Sequence, residues 1–153
     1  MQKTEKQVEK AILFGMSINK DDDGSFSLKE LERLAETAYV EVLGKVFQRS
    51  KEITPATYIG SGKAEEIRDL IAETGANLAI CDNELSGSQV NNLSKIFGVK
   101  VIDRTTLILD IFAKHATTNE GKLQVELAML KYYLPRLSGI AGTSGRFGSG
   151  GVG

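Results

Sequence analysis

The stretch with the most chemical promise is Thr57-Tyr58-Ile59-Gly60-Ser61-Gly62-Lys63-Ala64, where closely spaced glycines precede a lysine. A Walker A phosphate loop needs Gly-x-x-x-x-Gly-Lys-[Ser/Thr]: backbone N–H groups cradle the phosphates and the last hydroxyl holds Mg²⁺. Here Thr57 stands at the first glycine position and Ala64 at the hydroxyl position, so a metal ligand and part of the backbone nest are missing. The stretch reads as a tight entry from a strand into a helix, able at most to hold an anion weakly through free N–H groups. His115 is the only histidine and has no cysteine close by, which argues against a metal site. The lone cysteine, Cys81, lies in the apolar run Leu78-Ala79-Ile80-Cys81 and is expected to be buried and inert. Ser86 and Ser88 have no base near them in sequence. Nothing marks the chain as a catalyst, and no cofactor or metal is expected in it.

A second candidate is acidic. Asp21 and Asp22 follow one apolar run and Asp82 follows another, as in a receiver domain, where carboxylates hold Mg²⁺ beside a phosphate-accepting aspartate. Against this, Asp82-Asn83-Glu84-Leu85-Ser86 leads directly into a helix start, and no lysine follows a fifth strand. Carboxylates in turns and caps are the plainer reading.

The elements that must position these residues alternate two periodicities. Apolar runs at 9–18, 40–48, 78–81 and 99–102 suit strands. Between them, Ser27 with Glu30 and Ser86 with Gln89 are capping-box pairs that open helices, and a further helix spans 63–74. Gly75 and Gly98 are placed to stop helices. Such alternation predicts an α/β fold: an open, mostly parallel four-stranded sheet with helices over residues 1–103. The carboxyl ends of its strands, near Asp21, Arg49, Asp82 and Asp103, would be the default ligand edge.

From Arg104 the pattern is helical only, and residues 104–138 read as a helical arm with a joint at Thr117-Thr118-Asn119-Glu120-Gly121. Leu123, Leu127, Leu130, Leu134 and Leu137 are spaced 4, 3, 4 and 3 apart, a narrow coiled-coil seam. About two heptads are too few to stand alone, so the arm is expected to be half of an antiparallel helix pair. A seam left without its partner exposes apolar surface through which two copies could dimerise. Pro135 lies within the seam and is expected to bend or fray the helix. Residues 139–153 hold seven of the chain's sixteen glycines and read as a disordered glycine-rich tail.

Charge divides along the same line. Residues 104–153 carry six basic and three acidic groups, so +3, which leaves −4 on the remainder of a chain whose total is −1. Only the carboxy-terminal part is suited to approach a polyanion. The longest apolar run, from Ala11 to Met16, falls far short of the roughly 20 residues of a membrane span, and the N-terminus lacks a signal-peptide core. A cytoplasmic location is expected.

Several segments resemble a known family. Ala56-Thr57-Tyr58-Ile59-Gly60-Ser61-Gly62-Lys63-Ala64-Glu65-Glu66-Ile67 is similar to its "ATYIGxGKxEEI" segment, and the run from Val101-Ile102-Asp103-Arg104-Thr105 through Leu107-Ile108-Leu109-Asp110-Ile111-Phe112 to its "VIDRTxLILDIF" segment. Glu120 to Ala128 and Tyr133-Leu134-Pro135-Arg136-Leu137 follow "EGKLQVELA…YxLPRL", and Gly150-Gly151-Val152-Gly153 resembles the start of a "GGIG" loop. The family is that of the HflX-type ribosome-associated GTPases. The resemblance implies a large-subunit-binding protein linked to ribosome dissociation, in which an α/β subdomain and a helical arm precede a GTPase domain that uses GTP and Mg²⁺. It also implies that the returning arm helix and the GTPase domain are absent from this chain, which then does not hydrolyse GTP. The loop between the arm helices, which reaches the peptidyl-transferase region, maps onto the segment from Gly139 onward. Candidate contacts to ribosomal RNA are therefore Lys131, Arg136 and Arg146, with Gly145, Gly148, Gly150 and Gly151 letting backbone N–H groups approach phosphates. The alternative is a regulatory α/β domain that binds a small anion or nucleotide at its strand edge.

Overall fold

The computed structural model describes residues 8–144. The elements run β1 (Lys10–Ser17), α1 (Ser25–Thr37), β2 (Glu41–Arg49), α2 (Ser61–Thr74), β3 (Leu78–Cys81), α3 (Gly87–Phe97), β4 (Lys100–Asp103), α4 (Arg104–His115) and α5 (Asn119–Ser144). The four strands form one sheet in the order β2-β1-β3-β4, and every pairing is parallel. The chain thus has the α/β fold its alternating pattern predicts.

Side-chain alternation in β1 divides the core between the two faces of the sheet. Ile12, Phe14 and Met16 face α2 and α3, meeting Ile67, Ile71, Leu93 and Phe97, with the Phe14 and Phe97 rings edge to face at 5.7 Å. Ala11 and Leu13 face α1 and α4, meeting Leu31, Ala35 and Leu107. Because both faces are covered, β1 reads as a continuous apolar run. Cys81 is fully buried, and loss of hydration pushes its thiol far above the ordinary range, so the inert reading of this residue fits its surroundings.

The cap of α3 forms as its residues predict: Ser86 Oγ accepts from Gln89 N at 3.1 Å, and Ser86 N donates to Gln89 Oε1 at 2.9 Å. Gly75 and Gly98 end their helices in left-handed conformations. The expected cap at Ser27 is not there. Instead α1 begins earlier, behind Gly24 at φ 75°, because Asp22 Oδ1 accepts from Gly24 N at 2.8 Å and Asp23 Oδ1 from Ser25 N at 3.0 Å. Only glycine fits this turn, since a Cβ on Gly24 would lie 2.2 Å from the Phe47 ring. Ser27 is left one turn inside the helix with its hydroxyl free for another task.

One boundary expected for the arm is corrected: α5 runs past residue 138 to Ser144, taking in Gly139 and Gly142, and it carries Pro135 within it without ending there. Proline removes one N–H from the ladder, but here the residues flanking it are anchored to the body of the fold, and that anchorage opposes a break. The rest of the expected tail, from Gly145 to Gly153, lies outside the described residues.

Candidate binding surface: the strand edge and the arm

In a doubly wound sheet the crevice for a ligand opens at the carboxyl ends of the strands, where the connections diverge to opposite sides. With the order β2-β1-β3-β4, that point lies between β1 and β3. The chain's own side chains close it. Asn83 Oδ1 accepts from Met16 N at 3.0 Å, joining the ends of the two strands. Arg104, the first residue of α4, donates to Asp82 Oδ1 from Nε at 2.8 Å and from Nη2 at 2.6 Å. Its Nη2 also reaches Ser27 O at 2.9 Å, while the Ser27 hydroxyl donates to Asp82 Oδ2. A guanidinium planted between a carboxylate and a helix carbonyl is a structural tie.

A second cluster links the arm to the sheet. Asp103 is 2% exposed and is the one buried charged residue among the described residues. It caps α4 by accepting from Thr106 N at 3.0 Å on Oδ1, and on Oδ2 it accepts from Leu85 N at 3.0 Å and from the Tyr132 hydroxyl of α5. Arg136, one turn along α5, lies 3.5 Å from the centroid of the Tyr132 ring and donates to Tyr132 O at 2.8 Å, Leu85 O at 3.2 Å and Glu84 Oε1 at 3.3 Å. Arg136 is therefore engaged with the body of the fold, whereas Lys131 is exposed.

Loss of hydration, followed by the bond to Asp103, raises the Tyr132 phenol well above its ordinary value of 10.0. A group whose folded pKa is raised adds stability that is complete below its unfolded pKa and is lost above it. Stability should accordingly fall as the pH rises above about 10, and the Tyr132→Phe variant should fall less steeply in the same urea titrations.

The other residues singled out by sequence have structural partners. Gly60 N donates to Gln48 Oε1 at 3.0 Å, and Lys63 pairs with Glu66 at 2.9 Å. Ala64 is buried. One amide and the ammonium of the loop are thus engaged within the chain, and Ala64 stands where a Walker A loop has the hydroxyl that holds Mg²⁺. Of the receiver-like acidic residues, Asp22 serves the turn before α1 and Asp82 serves Arg104, while Asp21 lies in the exposed turn after β1, where its N–H donates to Asn19 Oδ1 at 3.0 Å. Arg49 donates to Lys20 O at 2.8 Å, and His115 Nδ1 lies 2.8 Å from Ile111 O. Arg146, Gly145, Gly148, Gly150 and Gly151 lie outside the described residues.

On the opposite side of α5 the leucine seam faces solvent: Leu123, Leu127, Leu130 and Leu134 are 64%, 53%, 52% and 58% exposed, and Leu137 is half-buried. None of the described helices is long and apolar enough to cross a membrane.

Local sequence carried no sign that Asp103 and Tyr132 meet, since they are 29 residues apart. The only signal lay in the segments of family resemblance, Val101–Thr105 and Tyr133–Leu137, which the fold brings side by side. Residues 25–113 match the family described as "GTP-binding GTPase N-terminal", and residues 115–153 match "GTP-binding GTPase Middle Region". The chain is 48% identical over 150 residues to GTPase HflX of Caldanaerobacter subterraneus subsp. tengcongensis, covering 98% of this chain and 35% of that protein. For GTPase HflX of Escherichia coli the identity is 43% over 129 residues, covering 84% and 30%. The crystal structure of a GTP-binding protein from Sulfolobus solfataricus in complex with GDP superposes with a TM-score of 0.64 at 28% identity, covering 88% of this chain and 40% of that one. The chain spans about a third of the length of these HflX relatives. With the α/β body and arm arranged as described, the chain belongs to the HflX family of GTP-binding proteins, corresponding to their N-terminal and middle regions.

Proposed function

We propose that this chain is the ribosome-engaging portion of a cytoplasmic GTPase, which binds the large ribosomal subunit and acts in ribosome dissociation. In this reading the arm and the glycine-rich segment beyond it meet ribosomal RNA, through Lys131 and Arg146 and the glycines at 145, 148, 150 and 151. GTP and Mg²⁺ belong to the GTPase domain of the whole protein. The observation that carries the reading is α5: a 26-residue helix, anchored on one side to a body whose ligand crevice is closed, with an unpartnered leucine seam on the other. Such a body is suited to hold an arm out to a partner.

Co-sedimentation with large subunits tests this directly. Binding should weaken steeply between about 50 and 200 mM salt, because phosphate contacts release counterions. Binding that is absent, or indifferent to salt, would overturn the phosphate-contact reading. Calorimetry with GTP, ATP and acetyl phosphate covers the regulatory alternative; tight binding of any of them without subunit binding would favour an α/β domain that senses a small anion.

The seam of Leu123, Leu127, Leu130, Leu134 and Leu137 is the proposed seat of a returning arm helix, and in its absence of a second copy of this chain. Light scattering should give a dimer mass for the chain and a monomer mass for the Leu127→Lys, Leu130→Lys double variant. A monomer mass for both would dismiss self-association.

A further inference from the structure

We propose that Tyr132 and Arg136 are positioning residues that clasp the arm to the carboxyl edge of the sheet and set its direction. Its bearing on ribosome binding rests on the function proposed above. The clasp has three contacts in a row. The Tyr132 hydroxyl donates to the buried Asp103, which also receives Leu85 N and caps α4. The Arg136 guanidinium covers the Tyr132 ring at 3.5 Å. Beyond the ring the same guanidinium reaches Leu85 O at 3.2 Å, so one short segment before α3 is gripped through both its N–H and its carbonyl. Asp103 thereby ties the end of β4, the start of α4, the approach to α3 and the middle of α5 to one carboxylate.

The surroundings make the clasp decisive for direction. Beside it, between α5 and the outer edge of β4, lies a cavity of about 290 Å³ lined by Leu85, Val90, Val101, Tyr132 and Tyr133, so packing there is incomplete. The far side of α5 is the exposed leucine seam, which offers no support from the body. Toward its N-terminal end α5 follows α4 after the short joint Ala116–Thr118 and packs beside it, and farther along it packs on α3. A helix seated on α3 and α4 with a void beside it and its outer face bare can still shift along or across that seat unless a directional contact fixes it. Hydrogen bonds and a stacked guanidinium supply that direction, which apolar packing alone does not. Arg136 contributes through geometry, with its donors turned inward to the body, and the phosphate contacts fall to Lys131 and the segment beyond the arm.

Distance measurement between spin labels on Lys51→Cys in the body and Glu126→Cys in the arm tests the clasp. Both positions are exposed, and Cys81 is buried beyond reach of the label. The otherwise unaltered chain should give one narrow distance distribution. Tyr132→Phe, which loses only the hydroxyl, and Arg136→Lys, which keeps the charge but cannot span Leu85 O and Tyr132 O together, should each broaden it about twofold with helix content unchanged. Both should also weaken subunit binding without changing its salt dependence. A broad distribution in the unaltered chain, or the same width in both variants, would overturn the proposal. So would a narrow distribution in Arg136→Lys together with a shallower salt dependence in Arg136→Ala, which identifies a phosphate contact. If the variants broaden the distribution although the unaltered chain does not bind subunits, the clasp stands and the ribosome reading falls.

Discussion

Replacing Asp103 with alanine is expected to destabilise the chain by about 2–4 kcal/mol, a large share of the 5–15 kcal/mol typical of a folded domain. The carboxylate is 2% exposed and accepts three hydrogen bonds, from Leu85 N, Thr106 N and the Tyr132 hydroxyl. Alanine leaves all three donors without their acceptor; the buried Leu85 N costs about 1–3 kcal/mol, and the part-buried Thr106 N and Tyr132 hydroxyl, which water can reach, cost less. One of the three is also the cap of α4, whose loss costs about 1 kcal/mol by itself. Asp103→Asn keeps one oxygen but turns an NH₂ group toward a donor, so it should fall between the natural residue and alanine. Urea unfolding monitored by circular dichroism gives the order. A loss below about 1 kcal/mol for Asp103→Ala would mean that the arm and the α4 start hold without this hub.

The second large effect is expected at Arg104. Arg104→Met removes the partner of Asp82, whose side chain is 9% exposed, and should cost about 2–4 kcal/mol, discounted because the arginine itself is 25% exposed. The penalty is chiefly that of leaving a carboxylate almost buried without its guanidinium. A double-mutant cycle separates this from lost packing: in the Asp82→Leu, Arg104→Met variant most of the loss should be recovered, since a buried ion pair and an apolar pair of similar size differ little. If the double variant is as unstable as the sum of the single ones, the Asp82–Arg104 contact is not the source of the effect.

These two clusters show how function-like residues come to have structural tasks. Asp82 and Asp103 stand where strand ends in α/β folds carry ligands, and by position alone they invite a catalytic or metal-binding reading. Arg104 and Tyr132 fill that edge from two helices and turn it into the base of the arm. Gly60-Ser61-Gly62-Lys63 follows the same logic on a local scale. A side chain from β2 takes the amide, and a glutamate one turn on takes the lysine.

What the sequence alone determined here was everything governed by neighbours within a few residues. Periodicity of two against that of three to four, glycines at helix ends and the Ser86–Gln89 pair sufficed for the α/β alternation, the stop of α2 at Gly75 and the cap of α3, because each depends on side chains one helical turn apart. The leucine spacing of α5 likewise marked a seam, and within this chain most of it is exposed. Tertiary structure decided the rest. Ser27 resembles a cap but serves Asp82, 55 residues away, because two aspartates and the left-handed Gly24 start the helix first. Pro135 weakens a lone helix, yet α5 continues through it while Tyr132 and Arg136 bind it to Asp103 and Leu85. Partners so distant in sequence leave no local trace, and their contact exists only once the sheet has brought the ends of β3 and β4 together.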